Sequence, residues 1–157
     1  MNMQQSPFRA MQSLYNNLLW IQVGFGIASL VLVLTGLVKP LASIQLDRLL
    51  QVIAVLVSFA AVIIGIQVFR RRLEAVLAAN PGPVEKVAQY RSAATFQWTL
   101  LTIAVVVSII GYLLTANWSF LALALTLLVV YGGLNPFKSK VRLQLRLSDS
   151  DMAQLGG

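Results

Sequence analysis

Residues 92–137 read SAATFQWTLLTIAVVVSIIGYLLTANWSFLALALTLLVVYGGLNPF, bounded by Arg91 and Lys138 with no charge between them. As a single helix the stretch would extend about 69 Å, more than twice the roughly 30 Å of a bilayer's hydrocarbon core. It is broken at Thr115-Ala116-Asn117 and closes on Asn135-Pro136, where proline disfavours a continuing helix. The reading is two membrane-crossing helices, about 93–114 and 118–134, joined by a very tight turn.

The same pattern recurs upstream. No charge occurs from Ala10 to Val38, and 18–38 is almost wholly apolar; a second run, 49–69, lies between Arg48 and Arg70. Either run makes a helix of about 31 Å, enough to cross. The composition agrees: 58% of the 157 residues are hydrophobic, 11% are charged, and the mean hydropathy is +0.79. Soluble domains carry about 25% charged residues, so a soluble enzyme, an extracellular disulfide module and a disordered tail are excluded. With no cysteine and no histidine, disulfides, thiolate nucleophiles, the common zinc ligands and axial histidines for haem are removed as well. An integral membrane protein remains. Its N-terminus, with one arginine, a long apolar run and no small-residue cleavage site, reads as a retained first span rather than a signal peptide.

Four spans put both termini on one side. On that side fall Arg9, Arg70, Arg71, Arg72, Lys86, Arg91, Lys138, Lys140, Arg142 and Arg146, against only Lys39 and Arg48 on the other. The positive-inside rule then predicts a multi-pass protein of the bacterial inner membrane with both termini and the middle loop cytoplasmic. Trp20, Trp98 and Trp118 lie near span ends, as interfacial aromatics do. The net charge of +7 needs no nucleic acid to explain it. Arg70, Arg71, Arg72, Lys138, Lys140 and Arg142 are the expected contacts with anionic headgroups.

Asn80-Pro81-Gly82-Pro83 is the strong turn signal of the middle loop. Before it, 70–79 continues the second span, with Arg70 and Glu74 at i,i+4 spacing. After it, Pro83 and Glu85 suit the first turn of a new helix. The predicted fold is therefore all-α: a four-helix membrane bundle over 1–137, built as two transmembrane hairpins joined by a cytoplasmic helix–turn–helix. The hairpins also carry a possible parallel duplication at an offset of 75, pairing Tyr15 with Tyr90, Gln22 with Gln97 and Gly36 with Gly111.

Small and polar residues recur every three or four positions inside the spans. They are Gln22, Gly26, Ser29 and Gly36 in the first, and Gln51, Ala54, Ser58, Ala61 and Gly65 in the second. The third has Gln97, Ala104, Ser108, Gly111 and Thr115; the fourth has Ala122, Thr126 and Gly133 around Val129. Such a repeat puts each set on one helix face, and small faces let backbones approach closely in lipid. Helix packing is the leading expectation; a polar path for a neutral solute is the alternative. The tail, 138–157, is a basic amphipathic cytoplasmic segment. Val141, Leu143, Leu145 and Leu147 alternate with polar residues in the period of a half-buried strand, a sheet edge or an interfacial segment. Ser148-Asp149-Ser150-Asp151 can cap a short final helix.

No Asp, Glu, Lys or Arg lies inside any assigned span, which argues against proton or ion coupling. No base stands ready to activate a serine, and no phosphate loop or metal-ligand spacing occurs, so neither an enzyme nor a bound cofactor is expected. Tyr90-Arg91, Trp98-Thr99-Leu100-Leu101, 111–117 (GYLLTAN) and Asn135-Pro136-Phe137-Lys138 together resemble a set of small, uncharacterised four-span bacterial membrane proteins. Many of those carry a Glu-Gly pair early in the third span, where this chain has Thr102-Ile103, so the resemblance brings no ion site. Paired hairpins with a basic turn are also similar to the proteolipid rotor subunits of ATPases. Those depend on an intramembrane carboxylate that is missing here, and no function is carried over. The expected role is a non-catalytic accessory or structural membrane subunit, packing against itself or other membrane proteins. A transporter or channel component, with Gln22, Gln97, Ser58 and Ser108 along its path, is the alternative.

Overall fold

The computed structural model describes residues 7–155 except Ala42, and every regular element among them is helical. Six helices follow in order: α1 (Pro7–Leu34), α2 (Ile44–Ala79), α3 (Pro83–Thr115), α4 (Trp118–Gly133), α5 (Lys138–Leu145) and α6 (Asp149–Gln154). Helices α1, α2 and α3 are each long and apolar enough to cross a membrane. Helix α4 reaches that length only together with α5, from which it is bent by 68°. Taken alone its 16 residues span about 24 Å.

Local chemistry sets the boundaries. The Ser43 hydroxyl accepts from the Leu46 N–H at 3.3 Å and opens α2, with Asp47 in the first turn. Asn80, left-handed at φ 43°, closes α2 through its N–H on the Val76 carbonyl. Pro83 then starts α3 with φ already set and no N–H to satisfy. Ala116 at φ 53° and the cap Asn117 make the tight turn into α4. The first span differs from its expected bounds. Helix α1 begins at Pro7 and ends at Leu34, not Val38, because the chain turns through Gly36 at φ 70°. Gly36 therefore has no structural counterpart in Gly111, which lies inside α3.

Helix α3 is the hub, and the contacts give the directions. Along α2 and α3, Asp47 meets Asn117 just past the end of α3, Gly65 meets Gln97 and Phe69 meets Tyr90, so the two run antiparallel. Along α1 and α3, Tyr15 meets Trp98 and Gln22 meets Thr102, so these run parallel. Helix α4 returns beside both, with Phe120 on Gly111 and Tyr131 on Tyr15. The main neighbours of α1 are thus α3 and α4, not α2 as a hairpin pairing in chain order would have it. The tail is also corrected. The residues 138–145 form a helix rather than a strand, because Val141 and Leu145, four apart, share one face and are buried while Leu143 is 78% exposed. Arg146, at φ 52°, then turns the chain so that Leu147 also packs inward.

Candidate functional site

The small residues expected at the packing seam are brought together on α3. Ala54, Ser58, Ala61 and Gly65 are buried on α2, and apart from Val76 they are all that this 36-residue helix buries. Helix α3 for its part buries Gln97, Leu101, Ala104, Ser108 and Gly111. A Cβ on Gly65 would stand 3.2 Å from Gln97 Cγ, so the glycine is what admits the α3 side chain. On α1, Ser29 is buried and Gly26 half-buried, the latter facing Ile109. Hydroxyls on this seam are turned back onto their own helices. Ser29 donates to the Phe25 carbonyl at 2.7 Å, Ser58 to Ala54 at 2.7 Å and Ser108 to Ala104 at 2.9 Å. Each is satisfied without crossing to a neighbour, so at these three serines shape rather than hydrogen bonding joins the helices.

Helix α4 reverses one expectation. Ala122, Thr126, Val129 and Gly133 point outward, while Phe120, Ala124, Leu127 and Tyr131 are buried. The reason is volume: Gly111 leaves a gap that the Phe120 ring fills, and Tyr131 stacks on Tyr15 with ring centroids 4.9 Å apart. That aromatic cluster was not legible as a site. Tyr15 donates to the Tyr131 carbonyl at 2.8 Å, and Trp98 meets Tyr15 edge-on at 5.3 Å. Trp98 is 1% exposed and belongs to the core, whereas Trp20 and Trp118 are exposed as interfacial residues should be. The signal available in the sequence was the pairing of two tyrosines with a tryptophan at mid-chain apolar positions, whose polar tips need partners when buried. Gln22 adds a side chain–side chain bond between α1 and α3, donating to Thr102 Oγ1 at 2.9 Å.

No family model matches the chain, and neither the curated proteins nor the solved structures hold a match to it. Its chemistry has to be read from its own residues.

At the far end of the bundle Asp47 Oδ2 accepts from Asn117 Nδ2 at 2.9 Å, and the Leu41 N–H donates to the Leu114 carbonyl at 3.0 Å. This clasp ties the first loop to the α3–α4 turn. At the other end lie the basic residues. Arg70, Arg71 and Arg72 are exposed on α2, with the Arg72 guanidinium 5.2 Å from the centre of the Phe96 ring. The expected Arg70–Glu74 pair is not formed; among the described residues the ion pair is Arg142–Asp149 at 2.6 Å, across the α5–α6 turn. Lys138 is exposed, and Lys140 donates to the Gly133 carbonyl at 2.9 Å, bracing the bend after α4. Tyr90 donates to Gln144 Oε1 at 2.7 Å, fastening α5 to α3, and burial pushes its phenol up to about 12. No cluster of acidic side chains that could hold a metal ion occurs among the described residues.

Proposed function

We propose that this protein is a non-catalytic, multi-pass subunit of the bacterial inner membrane that associates laterally with copies of itself or with other membrane proteins. The carrying observation is the outward stripe on α4. Ala122, Thr126 and Gly133 are exposed at helical spacing, and a Cβ on Gly132 or Gly133 would meet nothing within 4 Å. The equivalent small stripe of α2 is already consumed by α3, whereas α4 offers a small-residue face still open to another helix. In lipid, where apolar surface gives little drive, such a face is where two backbones gain by close packing. The short α4 adds to this, since a helix shorter than the bilayer is relieved by association. No Asp, Glu, Lys or Arg lies in the assigned spans and the seam hydroxyls are self-satisfied, which supports a packing role over a conducting one.

The test is size in mild detergent, read by light scattering, together with whatever co-purifies. A discrete oligomer or complex is expected, dissociated by Ala122→Leu with Gly133→Leu while the thermal aggregation midpoint stays within a few degrees. A lone monomer that both substitutions leave unchanged would reject the subunit reading.

A further inference from the structure

At the basic end, a cavity of about 210 Å³ opens where α2, α3 and α5 meet the end of α4. One side of it is apolar, formed by Ile66, Phe69 and Leu134; the other presents Arg70, Lys140, Gln144 and Gln97. No carboxylate lines it. Gln97 is the informative side chain. It is only 5% exposed, yet its carboxamide forms no hydrogen bond among the described residues and is not sealed away from the cavity. With no protein partner, the amide is left to bond whatever occupies the cavity, water or a ligand.

The remaining donors converge. Gln144 gives its oxygen to Tyr90, which leaves the two-donor nitrogen end unspent. Lys140 spends one proton on the Gly133 carbonyl and keeps two. Arg70 forms no ion pair with any described residue. Two cations and two amide donors facing a space with no acid suit a phosphate group. The geometry points to a site in which Arg70 of α2 and Lys140 of α5 clamp the phosphate of an anionic phospholipid from the basic-side leaflet. Gln97 and Gln144 donate to its oxygens, and Ile66, Phe69 and Leu134 face the start of the acyl region. The space takes a headgroup and not the chains, so the lipid tails lie outside along the helices. The inference rests on reading these helices as membrane spans. A soluble phosphate shares the polar chemistry but makes no use of the apolar wall.

The full chain in mild detergent is mixed with phosphatidylglycerol, phosphatidylcholine or inorganic phosphate, and bound lipid is counted by native mass spectrometry alongside thermal aggregation. One phosphatidylglycerol per chain, retained in preference to phosphatidylcholine, is expected. Arg70→Gln and Lys140→Gln should each lower occupancy about five-fold, as one lost surface cation does. Gln97→Leu should lower it too, while Arg71→Gln, whose arginine is exposed outside the cavity, should change it less than two-fold. A loss in Arg71→Gln equal to that in Arg70→Gln would mean diffuse surface charge and overturn the site. Protection by inorganic phosphate equal to that by lipid would overturn the lipid as occupant. Carbonate extraction of the same membranes separates the premises: a chain that stays embedded yet prefers no lipid defeats this site alone, whereas a chain that washes off defeats the span reading.

Discussion

Gly111 has less room than any other described glycine: a Cβ there would come within 2.5 Å of the Phe120 Cε1 atom. Gly111→Ala should therefore destabilise by about 1–3 kcal/mol, the usual cost of overpacking. Phe120→Ala in the same chain should recover part of that loss, because the two residues share one space. The same reasoning ranks the α2 seam. Gly65→Leu must displace Gln97, while Ile66→Leu keeps the volume of a side chain that is 42% exposed at the edge of the basic cavity, so the first should lower the aggregation midpoint and the second leave it nearly unmoved. Equal behaviour would mean that the seam does not pack as described. Tyr90 carries a pH signature. Its phenol is raised by burial to about 12 against about 10 in the unfolded chain. The protonated form is thus favoured by folding, and its contribution is whole below pH 10 and lost as pH rises toward 12. Midpoints measured across that window should fall less steeply in Tyr90→Phe than in the parent.

Among the elements, the end of α2, the start of α3 and the α3–α4 turn were legible because caps and turn residues act locally, whereas the start of α2 lies five residues before the expected Leu49. Asn80, Pro83 and Asn117 each do at short range what their chemistry allows. Helix α5 was not legible. Its alternation at 141–147 fits a strand, but an isolated strand has no partner for its backbone, and a helix satisfies its own. The cap of α6 was readable: the Ser148 hydroxyl accepts from the Asp151 N–H at 3.1 Å, and the Asp151 carboxylate accepts from the Ser148 N–H at 2.9 Å. Those bonds to Ser148 hold the Asp151 carboxyl below its ordinary range. A lowered carboxyl contributes above its unfolded pKa of about 3.9 and loses that contribution as pH falls through the folded value. Amide protection factors across 148–155, which allow for the intrinsic slowing of exchange in acid, should accordingly fall as pH drops through the carboxyl's titration, and Asp151→Ala should already show the lowered protection at neutral pH.

For the whole molecule, the parallel run of α1 and α3 gathers ten of the twelve Lys and Arg residues at one end, leaving Lys39 and Arg48 at the other. Reporter fusions at Pro81 and beyond residue 157 should both read cytoplasmic, and one at Ser43 external. An external signal at Pro81 would overturn the spans along with the orientation. The purified chain in liposomes should move neither protons nor cations, since no Asp, Glu, Lys or Arg lies within the assigned spans. A potential-driven flux above that of empty liposomes, abolished by substituting Gln22 or Gln97, would promote the transporter reading instead.

Hydropathy, charge order and caps determined by themselves that the chain is helical, where its long apolar helices lie and which loops share an end. These are properties of the backbone's need for internal hydrogen bonds and of the cost of charge in lipid, and both can be read one segment at a time. The small stripe of α2 was readable as well, since 3,4 spacing fixes a face whatever it meets. Tertiary structure alone decided which faces meet. The stripe of α4 looks the same in sequence as that of α2, yet it is turned outward because Phe120 and Tyr131 on the other side find the Gly111 gap and the Tyr15 ring. In an all-apolar helix hydrophobicity does not choose the buried face, so complementarity of volume does, and that is a property of pairs of helices rather than of either sequence.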